Sequence, residues 1–317
     1  MFAVDFNFAN KNIDLIKHRK TYFFITIAVV LAGAILLSTL GLNLGIDFSS
    51  GTRVDFMSEE PLTAEEIENE FAEIGLSPDD ITLAGDDHEQ ASAQFIGDLS
   101  QDEQLNIQGH LEEAFGYEPN VSYVSPQIGR ELAINALIAT GFASLGIVIY
   151  VAIRFEFLYG LAAITALLYD AFLVISIFSL LQLEINIPFI AAVLTVIGYS
   201  INDTIVTFDR IRENVRKEEE EEEIKDFNRL AGIVNKSLLQ TLTRSINTVL
   251  TVLFAAGAIW LLGSEAITSF AIAIVIGLVA GTYSSLFFAA QLWLVWKNKY
   301  IKKQQEKPTT EMEGSEP

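Results

Sequence analysis

The feature that most constrains this chain is the gathering of its apolar residues into six runs of about 20, not at the spacing of amphipathic helices or strands. A helix needs about 20 apolar residues to cross ~30 Å of hydrocarbon. The runs lie near 21–40, 133–153, 158–181, 187–208, 240–262 and 267–296. In lipid every backbone amide must be satisfied internally, which leaves helices or closed barrels, and runs of this length specify helices. The first run is too long for the core of a cleaved signal peptide, and no small-x-small cleavage site follows it. It is therefore expected to stay as a span.

Charge orients the spans. The net charge is −21, and the segment Gly41 to Leu132 carries 21 Asp and Glu against Arg53 and Arg130, which is −19 of the total. Apart from Arg244 inside the fifth span, the other basic residues flank the spans: Lys11, Lys17, Arg19 and Lys20 before the first, and Arg154 between the second and third. Arg210, Arg212, Arg216, Lys217, Lys225, Arg229 and Lys236 lie between the fourth and fifth, and Lys297, Lys299, Lys302, Lys303 and Lys307 follow the sixth. Basic residues near span ends stay cytoplasmic. Six spans with both termini inside put all of these groups on one side and 41–132 outside. The expected organisation is a cytoplasmic segment at 1–20, a span at 21–40 and an extracytoplasmic domain at 41–132. A five-helix bundle follows at 133–300, with a cytoplasmic loop at about 209–239, and then a disordered cytoplasmic tail at 301–317.

The acidic exterior excludes nucleic acid as a partner, because phosphates would be repelled, and reads as a solvated surface. With no cysteine, disulfides and thiolate metal sites are excluded. His18, His88 and His110 have no ligand spacing and read as surface residues. No glycine-rich phosphate loop, Walker lysine or nucleophile elbow is present. The expectation is a chain that is not an enzyme, holds no cofactor and draws on a gradient or a partner for work.

The inserted domain has its own local signals. Arg53 to Met57 reads as a strand. Thr63-Ala64-Glu65-Glu66 and Ser100-Gln101-Asp102-Glu103 are capping boxes that start helices ending at Gly75 and Gly116. Ile81 to Ala84, Ala91 to Ile96 and Val121 to Val124 read as further strands. The order strand, helix, strand, strand, helix, strand predicts an α+β, ferredoxin-like split βαβ domain. The six acids Glu218 to Glu223 read as a solvated helix or connector. Gly277 and Gly281 form a GxxxG step that lets helices approach closely.

Charged residues inside the spans carry the chemistry, since each costs roughly 2.5–3.5 kcal/mol near a span centre. Asp203 lies in the fourth span on a polar stripe with Thr195, Tyr199 and Thr207, and Asn202 is adjacent. Arg244 lies in the fifth on a stripe with Ser237, Thr241, Thr248 and Thr251. Asp170 is in the third. Facing stripes with a carboxylate and a guanidinium allow an ion pair. One reading is a relay, in which water entering from one side lets Asp203 bind an ion and release Arg244, coupling ion flow to helix movement. The other is a static pair that fixes helix register.

Four stretches resemble the SecF family of protein translocase subunits, part of the resistance–nodulation–division superfamily. They are LGIDFSSGT at 44–52, IRFEFLYGLAAI at 153–164, LTVIGYSINDTIVTFDRIRENVR at 194–216 and QTLTRSINT at 240–248. They lie in order along nearly the whole chain. The resemblance implies a unit of the bacterial plasma membrane that pairs with SecD beside the SecYEG channel. Such a unit uses an ion gradient, of H⁺ or Na⁺, to draw unfolded preprotein across after SecA has pushed. It implies that Asp203 is the ion-coupling acid and Arg244 its counter-charge; the polar stripes add Asn202, Thr207 and Thr248 as supporting neighbours, and Asp170 is expected as a structural acid. Three departures stand out: Ser49-Ser50 replace Thr-Gly, Tyr169 replaces a histidine before Asp170, and VSPQIG at 124–129 has Ser125 for glycine. The competing readings are a small-molecule exporter of the same superfamily and a membrane scaffold.

Overall fold

The computed structural model describes residues 8, 13–49, 51–84, 88–97, 99–224, 226–264 and 267–305. In chain order, α1 (Arg19–Thr39) precedes α2 (Ile46–Ser49), β1 (Gly51–Met57), α3 (Ala64–Glu73), β2 (Asp80–Ala84), β3 (Gln90–Ile96), α4 (Gln101–Phe115) and β4 (Asn120–Val124). Then come α5 (Pro126–Arg154), α6 (Phe157–Leu181), α7 (Ile187–Glu221) and α8 (Phe227–Leu262). The last span joins α9 (Thr268–Tyr283), a π-helical segment (Ser284–Ala289) and α10 (Ala290–Gln305). Two compact units result: Leu42–Phe142 with Gln182–Ile190, and the remaining spans.

Among the described residues, six helices are long and apolar enough to cross a membrane. α6, α7 and the last span hide about half of their apolar windows, whereas α1, α5 and α8 leave theirs largely open. The inside of this unit is therefore built from α6, α7 and the last span. The GxxxG step serves packing as expected: a Cβ on Gly277 would strike Val196, and one on Gly281 would lie 3.1 Å from the Ser200 side chain. Those contacts set α9 directly on α7.

Several expected boundaries are corrected. α5 starts at Pro126, not near 133, because proline suits the first helical position, where an N–H would be orphaned anyway. Part of the expected loop at 209–239 is helix: α7 continues through Glu221, and α8 starts at Phe227. The Asp226 carboxylate caps α8 by accepting the N–H groups of Asn228 at 2.9 Å and Arg229 at 3.2 Å. The acidic run is held across this turn, since Arg229 donates to Glu222 and Glu218. Residues 301–305, expected as tail, are the end of α10; the rest of the expected tail, and Ser50, lie outside the described residues.

In the inserted unit the sheet order is β2-β3-β1-β4, and every neighbouring pair is antiparallel. Both expected capping boxes form, Thr63 with Glu66 and Ser100 with Glu103. Hydrogen bonding from Ser100 holds the Glu103 carboxyl below its usual value. α4 ends at Gly116, whose φ of +78° needs glycine. Val54, Phe56, Ile67, Phe71, Ala93, Phe95, Ile107 and Leu111 form the core between sheet and helices.

The connection between α6 and α7 joins this unit. Gly45 and Ile185 pair through backbone (Gly45 N–H to Ile185 oxygen, 2.9 Å), and the Asp47 carboxylate accepts the first N–H of α7, at Ile187, at 2.9 Å. Arg53 reaches Asp55 at 2.8 Å and Glu184 at 3.2 Å, with only 13% and 15% of the Arg53 and Glu184 side chains exposed. Burial pushes the Glu184 carboxyl above its usual value against the pull of Arg53.

Candidate functional site

The two helices that carry the intramembrane charges bring them to one small cavity. It has a volume of about 30 Å³ and is lined by Asp203 and Asn202 of α7, Arg244 and Thr248 of α8, and Gly277 and Gly281 of α9. That is room for about a water or two. The glycines make the space, because side chains there would fill it or drive α9 from α7.

Asp203 and Arg244 do not form the direct ion pair that facing stripes suggested: no contact within 4.0 Å is among the ion pairs of the described residues. Asp203 instead accepts the Ser245 hydroxyl at 2.5 Å. Its other oxygen is buried with no hydrogen-bond partner among the described residues. Arg244, Asn202 and Thr248 are exposed on the isolated chain. A guanidinium left open at this depth requires water or a polar neighbour to cover it.

Asp170 lies outside the cavity. It is fully buried in α6 and accepts hydroxyls from Ser200 and from Ser284, the latter at 2.8 Å. Ser200 also lines the Asp203 cavity, so one hydroxyl touches both acids' surroundings. Ser285 meets Thr204 at 2.8 Å. The π-helical segment supplies both serines: its extra residue per turn turns Ser284 toward Asp170 and Ser285 toward α7. Thr207 is buried, lies outside the cavity, and its hydroxyl has no partner. Tyr169 is buried with its ring 6.3 Å from Tyr283 and 5.7 Å from Phe288, a packing role.

Sequence reasoning missed the hydroxyls. Ser200 and Ser245 sit inside the quoted motifs, and Ser284-Ser285 stand out as adjacent serines in an apolar run. A search for polar residues in every span, not only beside charges, would have flagged them. In the inserted unit, His110 lies 2.9 Å from Glu70, with Glu73 in the same group. The pairing bridges α3 and α4, and linear spacing did not reveal it.

The family model described as protein export membrane protein SecD/SecF, C-terminal, matches residues 109–299, and the SecD/SecF GG motif matches 35–61. The SecF translocase subunit of Alicyclobacillus acidocaldarius is 39% identical over 295 residues, covering 92% of this chain and 94% of that protein. The SecDF subunit of Bacillus subtilis is 48% identical over 290 residues, covering 92% of this chain and 39% of that longer protein. The crystal structure of SecDF from Thermus thermophilus, a translocon-associated membrane protein, matches with a TM-score of 0.82 at 32% identity, covering 92% of this chain and 39% of that one. The chain thus spans about two fifths of the SecDF proteins and nearly all of a SecF subunit. With its six apolar helices and small antiparallel sheet, it is a multi-pass membrane protein that belongs to the SecD/SecF family of protein translocase subunits.

Proposed function

We propose that this chain works as a SecF-type subunit that pairs with SecD beside the SecYEG channel and uses an ion gradient to draw preprotein outward after SecA has acted. Asp203 is the group that binds the coupling ion, H⁺ or Na⁺. Arg244 is its switchable counter-charge, Asn202 and Thr248 hydrate the site, and Asp170 and Thr207 stand behind it on α6 and α7. The observation that carries the reading is the shared cavity: Asp203, with one oxygen unpartnered among the described residues, and Arg244, in no ion pair among them, line the same water-sized space. A static register-fixing pair would hold the two in direct contact, and Ser245 occupies that role instead. The exposed polar face of α7 and α8 supports SecD as the covering partner. Matches over almost the full length of SecF subunits disfavour a separate small-molecule exporter.

The chain's basic flanks support cytoplasmic termini and an extracytoplasmic 41–132. The strand order and antiparallel pairing support a ferredoxin-like reading of that unit. The test is pulse-chase export of a secreted precursor in bacterial cells depleted of their own SecF. Asp203→Asn keeps size and hydrogen bonding but cannot titrate. Slowed export with the SecD complex intact supports the reading; export at the wild-type rate rejects it.

A further inference from the structure

Beyond the Asp203 cavity, a second and much larger space opens at the Arg154 end of α7. This vestibule of about 750 Å³ is lined by Arg154, Asp209, Arg212 and Lys297, and Tyr159 lies in its wall. Asp209 follows Asp203 by six residues on one unbroken helix, a rise of ~9 Å. Along the helix axis, the proposed ion-coupling acid is therefore less than two turns from a wide, charged space.

What fills those turns is aromatic. Phe208, fully buried on α7, meets Tyr159 edge-on at 5.2 Å. Tyr159 in turn stacks on Trp293 of the last span at 4.5 Å and 17°. Phe155 closes the cluster 6.3 Å from both Phe208 and Tyr159, and the Arg154 guanidinium lies 5.1 Å from its ring. Arg154 also grips Asp209 at 2.7 Å, tying α5 to α7 at the rim. Two buried polar groups in this stretch have no partner among the described residues, the Trp293 indole N–H and the Thr207 hydroxyl. A layer built only for packing would not leave a donor stranded within it and another beside it. Such groups suit a passage that is dry when closed and wet when open, as in hydrophobic constrictions that gate by dewetting.

We propose that the Tyr159–Phe208–Trp293 layer is the gate between the Asp203 site and the vestibule. The inference rests on the ion-coupling reading above and adds the place where the path is shut. These are positioning residues: they keep water from Asp203 until the layer parts.

The test uses the chain with SecD in proteoliposomes, with an entrapped pH dye to follow H⁺ and radiolabelled Na⁺ for sodium. Tyr159→Ala and Trp293→Ala are expected to raise passive flux of the coupling ion at least about tenfold, since flux is exponential in barrier height. Adding Asp203→Asn to either should return the flux to the wild-type level. Unchanged flux in both alanine variants, or a leak that Asp203→Asn leaves intact, overturns the gate. Because an alanine in a packed layer can unfold the bundle, a milder measurement accompanies it. The chain has no cysteine, so Thr207→Cys introduces a single thiol. A membrane-impermeant maleimide on the vestibule side should label it at least about ten times faster when Trp293→Leu is added, for the same exponential reason. Equal labelling rates overturn the proposal. Labelling reads the barrier with no ion crossing, so it separates failure of the gate from failure of the ion-coupling reading.

Discussion

Replacing Gly277 by alanine should loosen the membrane unit, and the structure sets the size of the effect. A Cβ at Gly277 runs into Val196. Val196 is 1% exposed, and as a β-branched residue it has little rotamer freedom in a helix, so it cannot swing aside. Relief requires α9 to move off α7. Overpacking of this kind costs about 1–3 kcal/mol. At about 2–4 °C per kcal/mol for a unit of this size, the unfolding midpoint should fall by about 2–12 °C. Gly257 on α8 is the matched control, because nothing lies within 4 Å of a Cβ there. Alanine at 257 should be neutral or gain up to about 1 kcal/mol of helix propensity. Thermal unfolding of the purified chain in detergent, followed by circular dichroism, compares the two. Equal midpoints for Gly277→Ala and Gly257→Ala would refute the close α7–α9 contact. Since Gly277 also lines the Asp203 cavity, export should fall with Gly277→Ala and hold with Gly257→Ala.

Two further predictions concern the inserted unit. Burial raises the Glu184 carboxyl above its ordinary 4.5 despite Arg53. An acid with a raised folded pKa contributes stability below its unfolded value that is lost as pH rises through the folded one. Wild type and Glu184→Gln should thus unfold together near pH 4, and wild type should fall behind as pH rises above 4.5; a wild type that gains on the variant would mean that Arg53's attraction outweighs burial. Phe71 is fully buried, edge-on to Phe56 and Phe95, so Phe71→Ala should cost about 3–5 kcal/mol. Hydrogen exchange should show lost protection in β1 and β3, and unchanged protection there would contradict the assigned core.

What the sequence made legible follows the range of the interactions involved. Both capping boxes and all four strands were readable because each is specified within a few residues, by a hydroxyl and carboxylate three apart or by a β-rich run between turns. The spans were readable because lipid imposes length. Helix ends were less so: α7 runs past the membrane-length stretch into the acidic Glu218–Glu221 region, which charge alone left open between helix and connector, and salt bridges from Arg216 and Lys217 along the helix favour the helix. The Arg53–Glu184 pair joins residues 131 apart, a distance that no local pattern encodes. In the site, Asp203 and Arg244 were legible because charge is costly in lipid. Their separation was not, because Ser245, one residue along α8, satisfies Asp203 in Arg244's place. The π-helical segment that aims Ser284 at Asp170 depends on packing against α6, and its apolar sequence reads as ordinary helix.

In the proposed function, Asp203 couples an ion gradient to export. Inverted membrane vesicles carrying the chain with SecD and SecYEG test it directly. Preprotein is advanced partway by SecA, ATP is removed, and a proton or sodium gradient is imposed. Wild-type vesicles should complete translocation when one of the two gradients is applied, and Asp203→Asn vesicles at equal complex levels should not. Completion at the same rate in both would contradict the account, leaving Asp203 as a structural acid held by Ser245.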